Sequence, residues 1–313
     1  MRAATIVDGR VVPGNRPDPV AGSGELLVRV EAAGVNAADL LQVRGLYPAP
    51  PGSPPDIPGL EFAGEVIELG EGVTRFSVGD RVMAIVGGGG QAELAVVHER
   101  VAMPVPVGTG WAQAGGFPET FTTAHDALFT QCQLRVGETL LVHGGAGGVG
   151  TAAVQLGVAA GASVTASVRD PAARAAVEAL GARVVAHDAF AETGPYDVIL
   201  ELVGAPNLAA NLACLATGGR VGIVGVGAGA RTEIDLRVLM AKRARIHGST
   251  LRARPLEGKA DAARRVEKEA LPLLAAGRVT VPIAGTFPLD EVAAAYERFA
   301  AGGKVGKIVL LMR

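Results

Sequence analysis

Leu140-Leu141-Val142-His143-Gly144-Gly145-Ala146-Gly147-Gly148-Val149-Gly150 is the stretch whose reading decides the fold. An apolar run bounded by glycines reads as a buried strand, and 151–160 reads as a helix. Gly145, Gly147 and Gly150 fit G-x-G-x-x-G. Alone the pattern is weak, but a strand before it, a helix after it and a further strand at 163–167 supply its context. Glycines let the backbone turn sharply and approach a pyrophosphate without Cβ clashes. A helix N-terminus then offers unbonded N–H groups and the positive end of its dipole. Gly145, Gly147, Gly148, Val149 and Gly150 are therefore candidate cofactor-binding residues. The bland alternative, a plain glycine-rich strand-to-helix turn, lacks a reason for that context.

The end of the next strand bears on cofactor choice. Enzymes of NAD place an acidic residue about 20 residues on, to hold the ribose 2′-hydroxyl. Here that position is Ser167, followed by Val168-Arg169-Asp170. Asp170 is taken as the N-cap before Pro171, so Arg169 is left to pair with a 2′-phosphate. This predicts NADPH, with Ser167 and Arg169 at its adenosine end. A merely solvated arginine is the alternative.

Outward from the loop, strands alternate with helix-length segments, the mark of a parallel α/β sheet. Strands are expected at 139–143, 163–167, 183–186, 197–203, 220–224 and 245–248. Helices near 206–216 and 233–242 fit between the later ones. The N-terminal third instead reads as β, with strands at 25–32, 62–70 and 80–86 punctuated by Gly and Pro, as in a small barrel or sandwich. Pro48 to Pro58 is too proline-rich for regular structure. Two helices, 259–276 and 289–300, and a strand at 307–312 close the chain. The expected organisation is a first domain at 1–118 completed by 259–313, and a nucleotide-binding domain at 119–258.

Composition excludes other classes. Gly (44) and Pro (19) make about a fifth of 313 residues without a collagen period, while 49% hydrophobic residues rule out disorder. A net charge of −2 and 4% aromatics give no basic face or stacking platform for nucleic acid. No targeting segment or membrane-spanning run is read, so a soluble cytoplasmic protein is expected. Cys132 and Cys214 make no disulfide framework or thiolate zinc site.

With these residues placed, the chain resembles the zinc-free, zeta-crystallin-like quinone oxidoreductases of the medium-chain dehydrogenase/reductase superfamily. The resemblance rests on Gly34-Val35-Asn36-Ala37-Ala38-Asp39-Leu40, Arg44-Gly45-Leu46-Tyr47-Pro48 and Pro58-Gly59-Leu60-Glu61-Phe62-Ala63-Gly64. It continues through Phe121-Thr122-Thr123-Ala124, the glycine loop, Gly248-Ser249-Thr250-Leu251-Arg252 and Gly306-Lys307-Ile308-Val309-Leu310. It implies an α/β protein with a GroES-like β-barrel catalytic domain, a Rossmann doubly wound parallel-sheet domain, and a homodimer or homotetramer. Zinc-dependent relatives place a Cys near the position of Asn36 and a His at that of Leu60. His98, His125, His143, His187 and His247 show no paired ligand spacing, so no metal is expected.

The resemblance implies an NADPH-dependent oxidoreductase acting on a small-molecule quinone or enone, without nucleic-acid or membrane partners. An enal or enoyl-thioester reductase of the same fold is the alternative. A non-catalytic NADPH-binding structural or regulatory protein is the reading from another class. Asn36 and Tyr47 are the implied catalytic residues, Asn36 donating to the acceptor carbonyl or holding the nicotinamide ribose. Tyr47 is read as a proton donor or as a hydrophobic lid. Thr123, Gly225, Leu251 and Arg252 are implied on the nicotinamide side of the cofactor. Relatives often carry an aromatic residue at the position of Gln91, which bears on substrate shape.

Overall fold

The computed structural model describes residues 1–312, which divide into two compact units. The first comprises Met1–Thr122, Leu251–Gly302 and Lys307–Arg313; the second comprises Thr123–Thr250 and Gly303–Gly306. The reading of sequence sets the corresponding boundaries at 118/119 and 258/259.

The first unit is built on one long strand, Glu25–Val35. It runs three residues past the expected end at Ala32, and different stretches of it pair with three partners. Strand Leu94–His98 pairs with its beginning and Lys307–Leu311 with its end, while Glu61–Leu69 runs along its length, all antiparallel. Arg81–Ile85 and Met103–Pro104 extend the sheet on one side, and Ile283–Pro288 lies beyond Lys307–Leu311 on the other. Val28, Val30, Phe62, Val66, Val82, Ile308 and Leu310 supply its core, onto which helix Val292–Ala300 lays Val292, Ala295 and Tyr296. A separate hairpin, Arg2–Val7 with Arg10–Asn15, turns at Asp8-Gly9. Both turn residues have positive φ, which suits Asp-Gly. The expected 259–276 helix is two helices, Leu256–Glu269 and Leu271–Ala275. Pro272 lacks the N–H that a continuous helix would need, so the chain breaks at Ala270.

The second unit is a six-stranded parallel sheet. Its order is Arg183–Ala186, Ser163–Val168, Thr139–His143, Tyr196–Glu201, Leu215–Ile223 and Arg245–Gly248. In chain order that is 3-2-1-4-5-6, the doubly wound arrangement whose switch point lies between the first and fourth strands. The glycine loop leaves the strand at that switch point and enters helix Gly148–Ala159. Leu141, Tyr196, Ile199, Leu212 and Val221 form a core on the sheet. Helix Pro118–His125 passes into a π-helical turn, Asp126–Gln131, which periodicity does not announce. No helix of the described residues is long and apolar enough to cross a membrane.

Candidate functional site

In the second unit, the glycine loop separates into residues demanded by packing and one that packing leaves open. A Cβ on Gly145 would lie 2.8 Å from the Ala166 Cβ, and one on Gly150 would lie 2.3 Å from the Gly144 carbonyl oxygen. These two let the helix seat against its own loop. Gly147 is extended (φ −71, ψ 168), and a Cβ there meets only the Gly144 oxygen, at 3.4 Å. That is ordinary contact, so packing leaves the space at Gly147 open. The first helical bond runs from Thr151 N–H to Gly147 O at 2.8 Å, leaving the N–H groups of Gly148, Val149 and Gly150 ahead of the ladder. Gly306 N–H donates to Ala146 O at 2.9 Å and steadies the loop from outside. This open, donor-lined cradle fits a dinucleotide pyrophosphate.

Ser167 ends the neighbouring strand but is 2% exposed, its hydroxyl 2.9 Å from His143 Nδ1. His143 Nε2 lies 2.7 Å from Asn211 Oδ1, and Asn211 Nδ2 donates to Glu201 Oε2 at 2.8 Å. Glu201 Oε1 accepts from the Val203 and Gly204 N–H groups. The direction therefore runs inward, with Nε2 protonated and Nδ1 accepting the Ser167 proton. Burial lowers the His143 pKa and favours that neutral ring. Reading along the chain missed this network; its signal was His143, Glu201 and Asn211 standing among apolar neighbours. Arg169 follows exposed, while Asp170 Oδ1 caps the next turn through Ala172 N–H at 3.0 Å. Thr123 sits inside its helix, 9% exposed, instead of capping it. Gly225 is required by its neighbour, since a Cβ would fall 2.2 Å from Leu202 O.

In the first unit, Asn36 heads helix Ala37–Val43 but makes no side-chain cap. Its Nδ2 donates to Glu61 Oε1 at 2.9 Å and its Oδ1 accepts from Lys307 Nζ at 2.7 Å. Lys307 Nζ also donates to Glu61 Oε1 at 2.6 Å and to Val35 O at 3.1 Å. Glu61 Oε2 accepts the Glu119 N–H at 2.8 Å. Gly34 makes the cluster possible, because a Cβ there would lie 2.1 Å from Glu61 Oε1. Beneath Asn36, Asp39 accepts from Asn36 N–H at 2.8 Å and Gly59 N–H at 3.0 Å. Gln91 is fully buried, donating to Gly34 O at 3.2 Å and accepting from Tyr296 OH at 2.8 Å. It serves this cluster, whatever its influence on substrate shape.

Burial pushes the Asp39 carboxyl up to about 7, against the pull of its two backbone donors and Lys307. Burial, and then the charge of Glu61, pushes Glu119 up to about 8, with Lys307 opposing. None of Glu61, Lys307, Asp39 and Glu119 was singled out along the chain. Asp39, Glu61 and Lys307 stand in the motifs that carry the resemblance, but only their charge inside otherwise apolar strand and helix patterns hints at a role.

Tyr47 lies half-buried in a bend, with the Arg252 guanidinium 4.9 Å from its ring centroid. Arg252 is 3% exposed and donates to Tyr47 O and Gly87 O at 2.7 Å each, and to Gln42 Oε1. It thus braces the proline-rich turn, with burial lowering its pKa. Leu251 is packed with Ile85 and Ala262. Among the described residues, no group of three or more His, Cys, Asp or Glu is placed to hold a metal ion. Cys132 and Cys214 are buried, and burial pushes the Cys132 thiol up to about 11, away from nucleophilic use.

Residues 22–130 match the family described as alcohol dehydrogenase GroES-like domain, and residues 180–310 the family described as zinc-binding dehydrogenase. The chain is 31% identical over 322 residues to an acryloyl-coenzyme A reductase from Metallosphaera sedula, covering 94% of each chain. It is 32% identical over 306 residues to a quinone oxidoreductase of Rattus norvegicus, covering 94% of this chain and 91% of the relative. An alcohol dehydrogenase superfamily protein from Novosphingobium aromaticivorans superposes with a TM-score of 0.88 at 29% identity, covering 100% of both chains.

Proposed function

The chain belongs to the medium-chain dehydrogenase/reductase superfamily, among its quinone oxidoreductase-like members, and on that premise we propose that it is a zinc-independent oxidoreductase of NADPH and a quinone or α,β-unsaturated carbonyl. The observation that carries the reading is the glycine cradle, closed by packing at Gly145 and Gly150 and open at Gly147. When bound, the nicotinamide supplies the hydride chemistry. The chain's own residues bind, orient and handle protons. The N–H groups of Gly148, Val149 and Gly150 hold the pyrophosphate, and Arg169 meets the 2′-phosphate. Ser167, with its proton given inward to His143, offers only oxygen lone pairs there. Thr123, Gly225, Leu251 and Arg252 serve the nicotinamide side, Arg252 by bracing Tyr47.

Asn36 stabilises negative charge growing on the acceptor's oxygen, and the Tyr47 phenol supplies a proton. The zinc-independent part of the reading rests on Leu60 standing at the ligand position of zinc relatives. The reading includes a cytoplasmic homodimer or homotetramer. A second acceptor class, enals and enoyl thioesters, is favoured by the acryloyl-coenzyme A reductase relative. The deciding experiment is NADPH oxidation against a panel of quinones, enones, enals and enoyl thioesters. Turnover with at least one class is expected; NADPH binding with silence across the panel would favour the non-catalytic reading.

A further inference from the structure

We propose that Lys307 and Glu61 are positioning residues that lock the Asn36 side-chain amide as a hydrogen-bond donor to the oxygen of the acceptor substrate. The inference rests on the reading of Asn36 given above and deepens it by naming what orients that side chain.

Counting donors and acceptors leaves one group over. The Lys307 ammonium has three N–H bonds and three acceptors: Asn36 Oδ1 at 2.7 Å, Glu61 Oε1 at 2.6 Å and Val35 O at 3.1 Å. The Asn36 carbonyl is therefore occupied by a cation. One Nδ2–H is taken by Glu61 Oε1 at 2.9 Å. The second Nδ2–H has no protein partner among the described residues. Asn36 retains 9% of its surface, whereas Lys307 retains 2% and Glu61 none. The two charged residues are sealed, and Asn36 is the member of the three that still meets solvent.

Turning the amide over would set its NH2 against the ammonium and its carbonyl oxygen against the carboxylate. Both contacts are repulsive, and low local polarity magnifies them. Only the donor orientation survives. An ammonium on the amide oxygen also draws electron density from the nitrogen, which strengthens the remaining N–H. A donor held in place before the reaction is the kind that helps most when an oxygen gains charge. Stability alone is a poor reason for the arrangement, since buried ion pairs are generally replaceable by apolar residues without loss.

The test compares full-length Lys307→Met, Glu61→Gln and the double variant with the parent protein. Three quantities are read: the Asn36 side-chain amide resonances by NMR, identified by their loss in Asn36→Asp; the thermal midpoint; and steady-state NADPH oxidation with a naphthoquinone and a linear enone. The parent should show two well-separated amide protons, one shifted by the carboxylate. Lys307→Met should move them toward the positions of a free asparagine side chain and lower kcat on the order of 100-fold, with the KM for NADPH held within about twofold. The double variant buries no unpaired charge, so it should regain thermal stability while kcat stays low. Recovery of kcat together with stability would overturn the proposal and make both residues merely structural. An Asn36 amide pair in the parent at the positions of a free asparagine side chain would overturn it too, whether or not the protein turns over. A locked pair in a protein that binds NADPH but reduces no acceptor would instead refute the proposed function, and with it the oxygen assigned to Asn36.

Discussion

At the scale of single residues, Arg169 and Asp39 place opposite demands on a charged group. Arg169 is exposed and its proposed partner is a ligand phosphate. Arg169→Glu should therefore raise the KM for NADPH by about 10- to 100-fold, the worth of a charged hydrogen bond. The KM for NADH should change far less; equal effects would move the phosphate contact elsewhere. Asp39 is sealed and bonded to the chain itself. Its carboxyl titrates near 7 in the fold against an ordinary 3.8, so the folded state holds a proton that the unfolded chain has lost. Stability from this group is greatest below pH 4 and falls as pH rises to about 7, by at most about 1.4 kcal/mol per pH unit. Glu119 extends the slope to about 8. Thermal midpoints should thus decline between pH 5.5 and 8. Asp39→Asn should flatten that decline while lowering the midpoint at every pH, because an amide cannot accept both backbone N–H groups. An unchanged slope in the variant would place the proton elsewhere.

At the scale of elements, the glycine loop was legible from its letters, but the division of labour within it was not. Three glycines at G-x-G-x-x-G spacing look equivalent in sequence. In the fold Gly150 is pressed against Gly144 O and Gly147 faces only ordinary contact. Gly150→Ala should cost about 1–3 kcal/mol in denaturant unfolding through overpacking. Gly147→Ala should leave stability nearly unchanged and weaken NADPH binding, read by titration of nucleotide fluorescence. Equal stability losses would remove the argument that a ligand explains Gly147. The strand Glu25–Val35 shows the same limit differently. Its alternation marked a strand through Ala32, but Ala32 to Val35 are all buried, and Lys307–Leu311 pairs along them. That partner lies some 270 residues along the chain, and no local pattern registers it. The Pro272 break went unread for the opposite reason, because amphipathic periodicity runs straight across a residue that the hydrogen-bond ladder cannot accommodate.

At the scale of the whole molecule, cofactor preference becomes a stability measurement. A ligand at about 100 times its Kd adds about 2.7 kcal/mol to the folded state. NADPH should therefore raise the thermal midpoint well above the shift from NADH at the same concentration. Equal protection would defeat the Arg169 assignment. Prolonged chelation should leave both midpoint and turnover intact; loss of turnover restored by zinc would overturn the metal-free reading.

The chain's letters alone determined the β-rich first unit, the parallel sheet that follows and the glycine loop between strand and helix, while Asn36 and Tyr47 stood out only through the family resemblance. The unit, the sheet and the loop are written in local periodicity, turn chemistry and short spacings, which act between near neighbours. Tertiary structure decided that Asn36 is held by Glu61 and Lys307, that Ser167 turns its proton toward His143, and that Arg252 braces Tyr47. These assignments join residues from 24 to 271 positions apart. Burial sets their chemistry, for a charge removed from water must find its partners wherever the fold brings them.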